Sequence, residues 1–411
     1  EKRFLNFSEN LKPLTEWDTE ITIGRRSGVS GHMFAYFSMC VAQLELYRLT
    51  GNDALLNQTR NAIDFFVADD GLTITGSAGQ REIWTDDQDG DGDLGETCAT
   101  AYQLRTYNNL LRLTGNSKFG DLIERTVLNG LFGAQSPDGE QIRYYTPFEG
   151  PREFYPHEHM CCPGNFRRIM AKLPEMVYFH SGDGGIAVNL YTASSATIAD
   201  VNGINVQIQQ KTDYPTSGKI EILVNSDKTA SFPVLLRIPS WVENAKVNVK
   251  GMEWNAPGGQ FLKIHREWTA NDKISLDFSM DFRFIRGRKR NAGRVALMRG
   301  PVIYSLNLEK NPEATKNGER SYFDLKRIQL DPQTLTGSFA DESVRSDGTS
   351  AYVKGWRVKH SGLATGNHEF KLKLTEFPDP ESVMTYFIVP DFSIEVEDEL
   401  VDKTAKSYQF P

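Results

Sequence analysis

The hydrophobic pattern of this chain changes period near residue 184, and that change limits the folds open to it. Before it, apolar residues recur at helical spacing; after it, short runs alternate apolar and polar residues between turn signals. The first part predicts helices from His32 to about Leu49, Ala54 to Val67, Glu96 to Thr114, Ser117 to Phe132, and Pro163 to about Phe179. The phrases LYRLTGND and LLRLTGNS close the first and third of these, which points to a repeated helix-hairpin unit. Beyond residue 184, runs such as IAVNLYT, GKIEILV, FPVLLRIP, RVALMRG and MTYFIVP read as strands of two antiparallel β-sandwich modules meeting near residues 286–310. The polar stretch from about Asn311 to Ser350 reads as a long loop or insertion. The expected architecture is multidomain α + β: a helical domain over 1–183, a β-sandwich over 184–290 and a second β-sandwich module over 291–411.

Composition excludes several classes of function. A chain of 411 residues is too long for one core. No apolar run reaches the length of a membrane span, so no membrane insertion is expected. A net charge of −8 argues against nucleic acid as a partner, because phosphate binding requires a basic footprint. The four cysteines are too few to staple a chain of this size, and the adjacent pair Cys161 and Cys162 is poorly shaped for a mutual disulfide. Cysteine usage therefore points to metal binding or catalysis. The chain opens at Glu1 with neither an initiator Met nor a signal-like segment, which points to a removed leader or a fragment. The sequence does not give the location; a periplasmic or secreted one is slightly favoured over the cytoplasm.

The chemistry concentrates in a few motifs. In HMCCPGNFRRIM, Pro163 suits the first turn of a helix, which places Cys161 and Cys162 at its N-terminus, where the helix dipole favours a thiolate. A buried pair of core cysteines is the plainer alternative. In GETCATAY, Glu96 and Cys98 open another helix; two residues apart, they can share a ligand only if they lie in the entry turn. Together Glu96, Cys98, Cys161 and Cys162 supply a donor set suited to tetrahedral Zn2+. Cys40, inside AYFSMCVAQLELY, reads as core. Glu82, in the Gly-rich GSAGQREIW, would by itself be taken for a solvated loop residue. Asp87, Asp89 and Asp91, followed by Gly92, resemble the front half of a Ca2+ loop, although the twelfth position is Cys98 rather than a glutamate.

These motifs, in this order, resemble glycoside hydrolase family 127. The resemblance rests on GSAGQREIW, GETCA, IERTVLNGL followed by YYTPFE, CCPGN, and then LLRIPSW and GRVALMRGPVIYSLN, and runs from about His32 to Tyr304. It implies an (α/α)6-barrel catalytic domain, of which only part is legible here, followed by β-sandwich domains. It implies Zn2+ on Glu96, Cys98, Cys161 and Cys162, with Cys161 as nucleophile and Glu82 as general acid/base. His32 in SGHMFAYF and Tyr144 in YYTPFE match sugar-contacting positions, with a one-residue shift to Tyr145 left open. The implied activity is retaining, exo-acting hydrolysis of a terminal furanose, β-L-arabinofuranose, from an oligosaccharide or glycoside. Three alternatives stand beside it: the same family with another sugar, a non-catalytic carbohydrate-binding protein with structural zinc, and a calcium-dependent adhesion module built around Asp87.

Overall fold

The computed structural model describes residues 2–9, 32–68, 71–154, 161–315, 325–338, 348–357, 369–390 and 396–397. Its helices are α1 (Lys2–Glu9), α2 (Met33–Thr50), α3 (Asp53–Ala68), α4 (Thr97–Thr114), α5 (Ser117–Arg125) and α6 (Cys161–Met170). The repeated Thr-Gly-Asn explains how α2 leads to α3 and α4 to α5. Gly51 and Gly115 take left-handed φ of 69° and 67°, and their N–H groups close on the Tyr47 and Leu111 carbonyls. The following Asn52 and Asn116 then accept the Ala54 and Lys118 N–H groups and start the next helix. The two hairpins pack over a core that includes Phe37, Leu44, Ile63, Phe66, Leu104, Tyr107, Leu110, Phe119 and Ile123. Cys40 is part of this core, and burial pushes its thiol up to about 12.

Two helices depart from the expected extents. The run from Ser117 is α-helical only to Arg125, widens into a π-helical segment Thr126–Leu131 and tightens into a 3-10 turn Phe132–Ala134. Asn129 accounts for the irregularity. Its amide donates to the Arg125 carbonyl and to that of Pro301, while its Oδ1 accepts the Ile303 N–H, so the segment is bonded sideways to a strand. The run from Cys161 stops at Met170 rather than near Phe179. Pro174 lacks an N–H and disfavours a helical residue before it, so a 3-10 turn Leu173–Met176 and a strand Tyr178–His180 follow instead.

The middle of the chain is a sandwich of two sheets. One is four-stranded (Tyr178–His180, Ile186–Val188, Ala230–Ile238, Gln260–Trp268). The other is six-stranded (Ser194–Val201, Ile204–Thr212, Lys219–Ser226, Asp272–Asp277, Asn244–Val249, Met252–Pro257). Alternation sets the register: Ile208 lies opposite Val224, Ile222 opposite Ile274, and Ile274 opposite Val249, all turned inward.

The C-terminal strands depart further from expectation. Phe282–Arg286, which lies before the expected boundary at 290, pairs with Arg294–Arg299 in the C-terminal sheet. Among the described residues that sheet is a single nine-stranded unit rather than a second sandwich. Its pairings run from Arg294–Arg299 through Val302–Asn307, Phe370–Glu376, Ser350–Arg357, Ile328–Ser338 and Tyr386–Ile388 back to Arg294–Arg299, so the ladder closes on itself. Ile328–Ser338 is thus a strand inside the stretch expected to be loop; its register shifts between Asp331 and Thr336, around Pro332. Among the described residues no helix is long and apolar enough to cross a membrane.

The helical part meets the middle sandwich at Arg237, which is fully buried. Its guanidinium donates to Asp121 and Glu124 on α5 and to the Asn189 carbonyl, while Tyr214 and Trp241 donate to Glu124. Gly120 makes the approach possible, because a Cβ there would collide with Asn189 and Arg237. One guanidinium between two carboxylates cannot fully compensate both. Burial accordingly pushes Asp121 from its usual 3.8 up to about 6, against the pull of Arg237. Arg237→Met should leave the buried Glu124 and the half-buried Asp121 without their cation and cost about 3–5 kcal/mol in urea unfolding; a loss below about 1 kcal/mol would show that the pair is not a fastening. The raised Asp121 contributes stability that is complete below pH 3.8 and lost as pH rises through about 6. Asp121→Asn should therefore flatten the change in unfolding free energy between those values, and an unchanged profile would assign the change to other groups.

Candidate active site and metal centre

Glu82 sits at the tip of a two-residue hairpin. The Gln80 and Ile83 backbones exchange hydrogen bonds of 2.8 and 3.0 Å, and both intervening residues have positive φ, Arg81 at 48° and Glu82 at 65°. This is the type I′ geometry, which favours Asn-Gly; here Arg-Glu occupies it. Neighbouring backbone holds the turn in place: the Arg81 N–H donates to the Asp93 carbonyl, and the Gly95 N–H to that of Gly79. The Glu82 carbonyl in turn accepts the Met33 N–H at 2.7 Å, at the first residue of α2. His32 caps α2, its Nδ1 accepting the Phe34 N–H at 3.2 Å. That bond leaves the proton of a neutral imidazole on Nε2, which lies 3.3 Å from Glu82 Oε2. One hairpin tip and one helix start thus orient the two side chains toward each other.

The second half of the site comes from the starts of α4 and α6. Glu96 caps α4 with an extended ψ of 131°, and this non-helical backbone lets its carboxylate converge with Cys98 two residues on. The Cys98 and Cys162 sulfurs are 3.3 Å apart, and Cys162 Sγ lies 4.0 Å from Glu96 Oε1. One ligand atom from each of Glu96, Cys98, Cys161 and Cys162 falls within 4.8 Å of every other. Glu96, Cys98 and Cys162 are buried, and Cys161 is exposed. The α4 start is tied to the tyrosine segment by Thr97, whose N–H and hydroxyl donate to the Tyr144 and Arg143 carbonyls. The Tyr144 hydroxyl donates to Glu82 Oε1 and lies 4.0 Å from Cys161 Sγ. Tyr144 therefore bridges the carboxylate and the exposed thiol.

The electrostatics are those of four acids packed together. Burial, with the Glu82 charge second, raises Glu96 from 4.5 to about 7. The Cys98 thiol is driven above its ordinary value by the adjacent Cys162 and then by burial, and Cys161 by burial and then by Cys98. Burial also raises Tyr144 and Tyr145. Burial and neighbouring acids thus oppose ionisation of Glu96, Cys98 and Cys161, and a divalent cation at their centre reverses that balance. The residues fit zinc. The donors are three sulfurs and a carboxylate at tetrahedral ligand count, and the buried Glu96 Oε2 has no hydrogen-bond partner.

The calcium site expected at Asp87, Asp89 and Asp91 is not supported. Asp87 Oδ1 accepts the Asp89 N–H and the Thr85 hydroxyl, and Arg290 reaches Asp87 Oδ2 at 3.4 Å and Asp89 Oδ2 at 2.8 Å. The carboxylates are thus spent clipping the loop to the C-terminal strands, and Arg290 supplies the positive charge. Asn165 went unassigned in the sequence, and Tyr145 stood there only as the alternative to Tyr144. Tyr145 adds a second donor to Glu82 Oε1 at 3.2 Å, and Asn165 donates to Cys98 Sγ at 3.1 Å. The doubled tyrosine was a visible signal for the first, and the helical i+3 spacing from Cys162 for the second.

Residues 1–175 match the β-L-arabinofuranosidase GH127 catalytic-domain model and residues 185–280 the GH127 middle-domain model. The chain belongs to glycoside hydrolase family 127. It is 26% identical over 314 residues to the non-reducing end β-L-arabinofuranosidase of Bifidobacterium longum subsp. longum, covering 69% of this chain and 46% of that protein. The chain therefore spans about half the length of this curated relative. The fold is similar to that of a GH127 β-L-arabinofuranosidase from Geobacillus stearothermophilus T6, with TM-score 0.75, 24% identity, and coverage of 87% of this chain and 60% of that one. It is also similar to a GH127 β-arabinofuranosidase with TM-score 0.75, 21% identity, and coverage of 96% and 66%.

The Arg81-Glu82 turn carries unfavourable backbone angles at a position the site requires. Arg81→Asn supplies a residue that tolerates them and should raise stability by about 0.5–1 kcal/mol in thermal or urea unfolding. A destabilised variant would mean that the arginine side chain contributes more than its backbone costs.

Proposed function

We propose that the chain is a retaining glycoside hydrolase that releases a non-reducing terminal β-L-arabinofuranose from an oligosaccharide or glycoside. The observation that carries this reading is the placement of Glu82 and Cys161 on either side of the Tyr144 hydroxyl, with Cys161 the exposed member of the four-acid cluster. The paired helical hairpins are then part of an (α/α)6 barrel. Glu96, Cys98, Cys161 and Cys162 would hold zinc, which when bound keeps the thiols ionised at neutral pH.

The chain's own groups supply the remaining chemistry. Glu82 donates its proton to the glycosidic oxygen while the Cys161 thiolate attacks the anomeric carbon, so a C–S bond forms as the C–O bond breaks. The Glu82 carboxylate then takes a proton from water, whose oxygen attacks the same carbon and expels the thiolate. Two inversions retain configuration. Tyr144 and Tyr145 both donate to Glu82 Oε1 and fix the carboxyl, leaving Oε2 on the side of His32.

Glu82→Gln should lower kcat on an unactivated arabinofuranoside by about 10²–10⁴-fold while zinc content is unchanged. The loss should shrink for an aryl glycoside whose leaving group needs no proton. Undiminished turnover in this variant would exclude Glu82 as the acid, and a parent that hydrolyses no β-L-arabinofuranoside would exclude the assigned substrate.

A further inference from the structure

Helix α6 carries more than the cysteine pair. Cys162, Asn165 and Arg168 follow one another at intervals of three residues along it, so they share one face. Arg168 Nη1 donates to Asn165 Oδ1 at 3.0 Å, and Asn165 Nδ2 lies 3.1 Å from Cys98 Sγ on α4. A guanidinium has only donors, so the amide oxygen must face Arg168 and the amide NH2 must face the sulfur. The amide orientation is fixed by chemistry, and Cys98 is the acceptor. Asn165 itself is 4% exposed, so no water competes freely for the bond.

An N–H donor aimed at a sulfur engages one of its lone pairs and so fixes the direction of the lone pair that a metal must share. Arg168 polarises the amide from behind and places a positive charge in line with a cluster that, loaded, contains three thiolates and a carboxylate. Among the described residues Cys161 receives no comparable amide donor; its polar neighbour outside the cluster is the Tyr144 hydroxyl at 4.0 Å. The three sulfurs are therefore not equivalent.

We propose that Asn165, buttressed by Arg168, is a positioning residue of the metal centre, holding the Cys98 sulfur in place for the ligand set and leaving Cys161 as the sulfur without such a support. The inference rests on the reading of Glu96, Cys98, Cys161 and Cys162 as a zinc centre. It concerns metal affinity and ligand geometry, and it assigns Asn165 no contact with substrate.

The test is zinc affinity of the whole chain, measured by competition with a chelator of known affinity, for the parent, Asn165→Ala, Asn165→Asp and Arg168→Gln. Asn165→Ala should bind zinc about 10–100-fold more weakly. Asn165→Asp is the discriminating variant. It keeps the shape and strengthens the pair with Arg168, but turns a carboxylate toward the sulfur in place of a donor. The proposal predicts that it binds zinc more weakly than Asn165→Ala, although its metal-free form melts no lower than the parent's. A packing role predicts the reverse order. Arg168→Gln, altered at an exposed position, should lose only a few-fold and serves as the variant least exposed to misfolding. In cobalt-loaded protein, the thiolate-to-metal absorption should shift in Asn165→Ala. Parent-like affinity in Asn165→Asp would overturn the proposal. A parent that binds no zinc would instead remove the zinc-centre reading, and this inference with it.

Discussion

The site depends on one costly arrangement, three thiols and a carboxyl with ligand atoms within 4.8 Å of one another. Without a cation, burial and then the Glu82 charge push Glu96 up to about 7, and burial and adjacent thiols raise Cys98 and Cys161. Local sequence cannot hold such a cluster together. It persists because the starts of two helices are brought together, Glu96 and Cys98 at α4 and the cysteine pair at α6, each leaving backbone free to turn side chains inward. The supports are polar and specific: Thr97 on the tyrosine segment, Asn165 on Cys98, and the Glu82 carbonyl on the start of α2.

The β domains fasten this scaffold through buried polar groups on α5 and the π-helical turn after it. Arg237 grips α5 through Asp121 and Glu124, and Asn129 bonds the π-helical turn to the strand Val302–Asn307. Apolar contact adds to this where Ile74, Leu94 and Phe148 of the helical part pack with Ile285, Met298, Ile303 and Phe377 of the C-terminal sheet. The motifs IERTVLNGL and LLRIPSW, with no chemistry of their own, thus lie on the two sides of one junction. Their contribution is to keep the helix starts in register.

Much of this was legible in the sequence because it depends on local signals. The Thr-Gly-Asn breaks, the helical periodicity around Leu104 and Ile123, and the alternation in Lys219–Ser226 each encode their own element. For Glu96 and Cys98 the sequence set only a condition, that they lie in the entry turn, and Glu96 does cap α4 with non-helical backbone. What escaped depends on partners distant in sequence or on backbone that contradicts residue preference. The hairpin at Arg81-Glu82 lacks the Asn-Gly that would announce it. The acidic loop resembled a calcium site because Arg290, which neutralises Asp87 and Asp89, lies some two hundred residues away. Ile328–Ser338 was hidden by Pro332 and a register shift, and closure of the C-terminal sheet follows from pairings between strands far apart in the chain.

A single zinc ligand set made by Glu96, Cys98, Cys161 and Cys162 is the central claim, and zinc K-edge X-ray absorption of the purified, reduced chain tests it most directly. It predicts about one zinc per chain with three sulfur neighbours near ~2.3 Å and one oxygen near ~2.0 Å, and a shell that loses one sulfur in Cys98→Ser. A first shell of nitrogen and oxygen alone, or a metal-free chain after loading, would contradict it.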